Sequence, residues 1–276
     1  MEKRIDKYEG QWENLNKLMK GGLEMKAGIQ PITWGDLPFE KIAKEIREAG
    51  FEGVEAPVGQ YLANLGELKR ILCENELVVS STYFGLYLLD KGKQEEEIER
   101  ACEMARILKS EFSCDVLVVA AGGVKKPVDK EVYELFAKGC DEIGKRCREI
   151  GVYVAFHNHA WTLIETKEEI EFLADNTAPD SFFFAFDTGH LALMGMDPGE
   201  IMEEFKERIK YVHLKDVKDN DFIELGEGAV DFGKVKKVLE SSGYNGWLVA
   251  ELDRSKLPPM ESAKRQRKFI KEVFGI

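Results

Sequence analysis

A single (β/α)8 barrel with a short N-terminal extension is the fold that this sequence predicts. Three observations lead to it. From about residue 26 to the end, short apolar runs alternate with longer amphipathic stretches. Eight such units fill about 250 residues, or about 31 each, the size of one strand–helix unit in a closed barrel. An open doubly wound sheet alternates in the same way but normally carries a G-x-G-x-x-G turn after an early strand. No such turn is present, and the Gly122-Gly123 pair is too short to be one.

Composition narrows the function classes. With 276 residues and 44% apolar content the chain can bury a full core. Its formal charge of −12 argues against nucleic acid or an anionic bilayer as the main partner. No run of about 18 apolar residues exists, so no membrane-spanning helix is expected. The opening MEKRIDKYEGQWENLNK lacks an apolar h-region, so no secretory signal is expected either. Five cysteines, an odd number with no C-x-x-C pair, suit a cytoplasmic protein with reduced, buried thiols. Cys140 and Cys147 lie seven apart, on one face of an expected helix. An acidic surface leaves homo-oligomerisation open.

Each element has its own justification. Residues 1–25 lie outside the repeating pattern, and WENLNKLMKGG reads as a short helix ending at the glycine pair; the barrel domain spans 26–276. The expected strands are the short apolar runs 26–31, 52–56, 77–84, 115–121, 151–158, 182–187, 209–215 and 246–252. The segment 38–50 places Phe39, Ile42, Ala43 and Ile46 on one helical face and ends at Gly50. The segment 197–209 opens with Asp197 as N-cap and Pro198 in the first turn.

The last four strands share a pattern that packing does not require. Side chains alternate between the two faces of a strand. One face of these strands is apolar, as a strand under barrel helices must be. The other face ends in His157, in Asp187, in His213 with Lys215, and in Glu251. All are at C-terminal strand ends, where barrel enzymes keep their chemistry. Four such groups converging without a cation carry a large desolvation and repulsion cost. The set His157, Asp187, His213 and Glu251 is therefore read as a divalent metal site for Mn2+, Co2+, Zn2+ or Mg2+. All four histidines of the chain, His157, His159, His190 and His213, fall in or just after strands five to seven. Glu55, at the end of the second strand, is expected to face the same mouth. Gln30, Trp34 and Tyr83 come from other strand ends and are expected to line it, and the faces of Trp34 and Tyr83 suit the C–H surface of a polyol.

Seven segments carry a resemblance over about residues 25–275: GIQPITWG (28–35), GFEGVEAP (50–57), AFHNH (155–159), FDTGHLALMGMDP (186–198), RIKYVHLKDVK (208–218), LGEGAVDFGKV (225–235) and YNGWLVAELD (244–253). In these the sequence resembles the xylose isomerase-like barrel superfamily of sugar isomerases and epimerases, and within it the inosose dehydratases. Their Asn-Asp-Asp run after the tryptophan is GDLP here, and the ELD ending is closer to the broader epimerases. The resemblance implies a divalent metal, a sugar or keto-polyol substrate, and proton abstraction next to a carbonyl. It carries Asp187, His213 and Glu251 over as metal ligands. Many relatives have glutamate where this chain has His157, so His157 is read either as a ligand or as an acid/base group. Glu251 is the expected base and Lys215 the group that holds a substrate oxygen or developing negative charge. His159 and His190 are expected to bind substrate hydroxyls or orient a ligand. Two outcomes stay open: dehydration, or isomerisation and epimerisation without loss of water. DNA repair, for which the same barrel is used, needs a basic groove that this acidic chain lacks.

Overall fold

The structure is a computed structural model, and it describes residues 24–276. The helix expected near the N-terminus lies outside the described residues. In chain order the strands are β1 (Lys26–Ile29), β2 (Gly53–Glu55), β3 (Val78–Ser81), β4 (Tyr83–Leu86), β5 (Val116–Ala121), β6 (Tyr153–His157), β7 (Phe182–Asp187), β8 (Ile209–Leu214), β9 (Asp216–Lys218), β10 (Asp221–Ile223) and β11 (Trp247–Ala250). Nine of them form one parallel sheet in the order β3-β2-β1-β11-β8-β7-β6-β5-β4. This is the expected barrel, with its third stave in two pieces.

The break in that stave has a local cause. The expected strand 77–84 is interrupted at Thr82, so β3 pairs with β2 while β4 pairs with β5. Side-chain hydroxyls replace the missing ladder bonds. Thr82 Oγ1 donates to the Ala56 carbonyl at 2.7 Å. Ser81 Oγ donates to the Val116 carbonyl and accepts from the Val118 amide, both at 3.0 Å, which ties the third stave to the fourth. Buried backbone groups need partners, and serine supplies them where the strand kinks.

The helices follow the pattern read from the sequence. They are α1 (Phe39–Ala49), α2 (Leu65–Glu74), α3 (Gln94–Phe112), α4 (Lys130–Ile150), α5 (Lys167–Asp175), α6 (Thr188–Leu193), α7 (Pro198–Glu204), α8 (Phe232–Ser241) and α9 (Pro259–Phe274). Gly50 closes α1 at φ 93°, a left-handed position where glycine costs nothing. Asp197 caps α7 by accepting from the Gly199 and Glu200 amides, but α7 stops at Glu204 and a 3-10 turn fills 206–208. Cys140 and Cys147 are buried on α4. Among the described residues, no helix is long and apolar enough to cross a membrane.

Two apolar layers result. The larger lies between the strands and the helices and includes Phe156, Phe182, Phe184 and Phe186. The smaller is Val116, Val118, Ala155, Ala185, Tyr211 and Val249, with Trp247 packed against it. By strand alternation, this second set shares its face with His157, Asp187, His213 and Glu251. Tyr211 reaches across the lumen, its hydroxyl 2.7 Å from Ser80 Oγ on β3. The barrel interior is thus a packed plug, and the polar tips lie on top of it.

Candidate metal centre and active site

Register brings the four tips together. Asp187 is directly opposite His213 across the β7–β8 pair, and His213 is opposite Val249, two residues before Glu251. His157, Asp187, His213 and Glu251 are all buried, and one ligand-type atom from each lies within 4.8 Å of the other three. His213 Nδ1 is 2.9 Å from His157 Nδ1, with the two rings nearly perpendicular at 89°. His213 Nε2 is 3.4 Å from Glu251 Oε2 and 3.0 Å from Glu55 Oε2. Asp187 Oδ1 accepts from the His190 amide at 2.9 Å, while its Oδ2 is buried and makes no hydrogen bond. Two imidazoles and two carboxylates around an unsatisfied buried oxygen fit a divalent cation. Those four could hold one; among the described residues His157, His159 and His190 form a second group close enough to ligate an ion, but it contains no carboxylate to balance the charge.

Lys215 follows β8 and is completely buried. Its Nζ donates to Glu251 Oε1 at 2.8 Å and Asp253 Oδ1 at 2.9 Å, and lies 3.7 Å from Asp187 Oδ2. Its stem runs over Gly189, where a Cβ would be 2.5 Å from Lys215 Cγ; the glycine of DTGH is needed for that close approach. His190 Nδ1 accepts from the Ala160 amide at 3.3 Å, and His190 Nε2 is 3.2 Å from Lys215 Nζ. A neutral ring that accepts at Nδ1 carries its hydrogen at Nε2. Two donors then lie side by side, an arrangement suited to an oxygen acceptor that approaches both.

The charges reinforce this picture. Burial opposes a charge on Lys215, but Glu251, Asp187 and Asp253 outweigh it and raise its pKa, so the ammonium is retained. Burial likewise opposes a charge on His213, and Glu251 and Glu55 overcome it, lifting the ring to about 9. His157 goes the other way: burial and the neighbouring His213 hold it well below the usual imidazole range, so it is neutral and has a lone pair to give. Burial raises Asp187 to about 7 against the pull of Lys215. Glu251 is buried too, yet Lys215 and His213 hold it well below the usual carboxylate range.

The remaining expected residues divide. Glu55 and Tyr83 are beside the ligands, Tyr83 edge-on to His157 with ring centres 6.1 Å apart. Both also line a cavity of about 650 Å³ at the mouth, together with Gln30, Asp36, Gln60 and Tyr61. His159 is half-buried, its ring 5.7 Å from that of His157 and its Nδ1 2.7 Å from the Ala160 carbonyl. Trp34 differs from expectation. It is buried in the outer core, with its indole N–H bonded to Glu45 of α1 at 2.6 Å, and it does not line the cavity. A ring with an available carboxylate on the neighbouring helix is satisfied there.

Several contributing residues were not anticipated. Asn158 brackets Asp187, accepting from its amide at 2.9 Å and donating to its carbonyl at 3.3 Å. Thr188 Oγ1 donates to the Lys215 carbonyl at 2.7 Å and accepts from the Lys215 amide at 3.0 Å. Asp253 completes the cluster around Lys215; its signal was the period of two continuing past Glu251. Phe222 sits on the β9–β10 hairpin, 4.8 Å from the His190 ring and 4.5 Å from Lys215 Nζ. The signal for that hairpin was Asp219-Asn220, both with positive φ, the pair preferred in a tight hairpin turn.

Comparison with known proteins identifies the family. Residues 43–273 match the model of the family described as xylose isomerase-like TIM barrel. The chain is 34% identical to the inosose dehydratase of Bacillus cereus (strain AH820), over 91% of this chain and 98% of that protein. It is 31% identical to the inosose dehydratase of Lacticaseibacillus casei, over 92% of this chain and 99% of that one. Among solved structures, IOLI protein with a bound zinc atom superimposes with a TM-score of 0.77 at 18% identity, covering 91% of this chain and 98% of that one.

Proposed function

The chain belongs to the xylose isomerase-like TIM barrel family, and from that premise we propose that it is a divalent-metal-dependent lyase of the inosose dehydratase type, acting on an uncharged keto-polyol. The observation that supports this most directly is the convergence of His157, Asp187, His213 and Glu251, with Asp187 Oδ2 buried and unsatisfied. The two imidazoles favour Mn2+, Co2+ or Zn2+ over Mg2+.

In this reading the four residues hold the cation. When bound, it supplies Lewis acidity to the substrate's carbonyl and adjacent hydroxyl oxygens, which makes the neighbouring C–H acidic. Glu251, held ionised by Lys215 and His213, takes that proton. Lys215 and His190 donate to one substrate oxygen and stabilise the charge that grows on it. In dehydration the electron pair left on carbon expels a β-hydroxyl, which leaves as water after accepting a proton. We assign that proton to His159, which is half-buried beside His157. If the proton instead returns to carbon, the outcome is isomerisation or epimerisation.

The cavity supports the substrate class. Among the described residues that line it there is no Lys or Arg, while Asp36 and Glu55 are present. Two of the three N–H groups of the Lys215 ammonium are on carboxylates that balance its charge, which leaves one for a neutral or metal-bound substrate oxygen. Such a wall favours hydroxyl groups and disfavours a phosphate or a carboxylate on the substrate.

The test is NMR in D2O of 2-keto-inositol and a ketohexose panel, with Mn2+ or Co2+ added. Loss of water from the inosose is the expected result. Deuterium at C3 of a ketose without elimination would replace the dehydratase by an epimerase. No turnover of either class would overturn the proposal.

A further inference from the structure

Glu55 has one carboxylate oxygen on His213 and another that is buried without a hydrogen-bond partner. A carboxylate can only accept, so the hydrogen in the 3.0 Å contact belongs to His213 Nε2. In the neutral ring that a bound cation requires, this leaves Nδ1 as the nitrogen with a lone pair to offer, and Nδ1 is the one that faces His157 Nδ1 at 2.9 Å. From this geometry we infer that Glu55 is a positioning residue for the metal centre. It fixes His213 as the Nε2–H tautomer and presents Nδ1 to the ion. This rests on the metal reading of the site and deepens it. It also gives Glu55 a different task from the substrate contact expected from its strand position.

Three features support the assignment. Glu55 comes from β2, on the opposite side of the sheet order from β7 and β8, so no local constraint forces the contact. Both partners are buried, with side-chain exposures of 0% for His213 and 1% for Glu55, so no water competes for the hydrogen. Glu251 Oε2 is farther from the same nitrogen, at 3.4 Å, and its other oxygen is held by Lys215, so the shorter bond to Nε2 is the one from Glu55; Tyr211, whose plane is 74° away and whose hydroxyl is taken by Ser80, restrains the ring without choosing its tautomer. A carboxylate behind a metal-binding histidine both orients the ring and makes it a better donor, and losing such a partner typically costs roughly 10- to 100-fold in metal affinity.

The experiment is zinc binding by the full-length protein without substrate, read by competition with a chelator, and 15N NMR of the histidine side chains in the zinc-loaded state. Wild type is expected to bind zinc with His213 coordinated through Nδ1 and a slowly exchanging Nε2–H. Glu55→Ala is expected to weaken zinc roughly 10- to 100-fold and to lose the protection of that hydrogen. Glu55→Gln, whose amide oxygen can still accept, should recover most of both. Zinc affinity in Glu55→Ala within twofold of wild type overturns the inference and leaves the metal site standing. Coordination through Nε2 also overturns it. A wild-type protein that takes up no zinc overturns this inference and the metal reading together.

Discussion

The two halves of the barrel mouth differ in how they treat water. Staves β6, β7, β8 and β11 end in His157, Asp187, His213 and Glu251, all buried and touching one another or Lys215. Staves β1, β2 and β3 end in an open cavity of about 650 Å³, where Gln30 and Gln60 line the wall and Tyr83, just past β3, is 48% exposed. The first arrangement suits chemistry, because charges excluded from water act on each other strongly. The second suits selection, because a roomy polar wall can exchange its waters for substrate hydroxyls. Glu55 is the one acidic residue in both, since it lines the cavity and bonds His213. If this division is right, substitutions in the late half act on rate and metal, and those in the early half on substrate affinity.

The largest effect is expected at Glu251. Glu251→Gln keeps the shape but removes the negative charge that Lys215 and His213 stabilise. Turnover should fall by roughly 10^3-fold, with far-UV circular dichroism unchanged. A variant that retains a tenth of wild-type turnover would remove Glu251 from the role of base and blur the contrast between the halves.

Lys215 comes next, and its effect is read in stability. Lys215→Met leaves the Glu251 and Asp187 carboxylates without their buried cation. Removing one member of a buried ion pair costs about 3–5 kcal/mol. Asp253 is partly exposed and adds little. For a chain of this length a cost near the lower end lowers Tm by roughly 6–12 °C. Mn2+ should restore part of that loss in the variant, because a dication supplies the missing positive charge at the same carboxylates. A thermal melt with and without Mn2+ checks both points, and an unchanged metal-free Tm would show that Lys215 is not what balances them.

A third effect sharpens the early half. A keto-polyol and its phosphate monoester should differ by roughly 100-fold as ligands of the metal-loaded protein, because a phosphate beside Asp36 and Glu55 meets like charge worth several kcal/mol. Calorimetric titration measures it. Equal affinities would mean that a cation outside this wall reaches the substrate.

The same contrast explains what could be read from the sequence. The late half was legible because strand alternation is rigid: a polar residue at the end of an otherwise apolar face can only lie at the mouth, which is why His157, Asp187, His213, Lys215 and Glu251 were found together. The early half was less so. Trp34 follows β1 in a 3-10 turn, where alternation no longer applies, and Glu45 decided its orientation. The break at Thr82 was hidden because Ser81 and Thr82 look like ordinary strand residues until their hydroxyls are seen replacing ladder bonds. Phe222 was missed because the β9–β10 hairpin interrupts the strand–helix period, and Asn158 because it points out of phase with His157.

The smallest expected effect tests the boundary between the halves. Tyr83 lies in the cavity wall but stands edge-on to His157. Burial, with Glu251 and Glu55 nearby, pushes its phenol up to about 12, so it stays neutral and offers a ring face and a hydroxyl. An aromatic face against the C–H surface of a polyol contributes about 1 kcal/mol, so Tyr83→Ala should raise KM by roughly fivefold and leave kcat within twofold. Tyr83→Phe separates the face from the hydroxyl: KM close to wild type assigns the contact to the ring. A fall in kcat for Tyr83→Ala without a change in KM would instead place Tyr83 in the late half, because its ring is edge-on to His157 and its phenol is near Glu251.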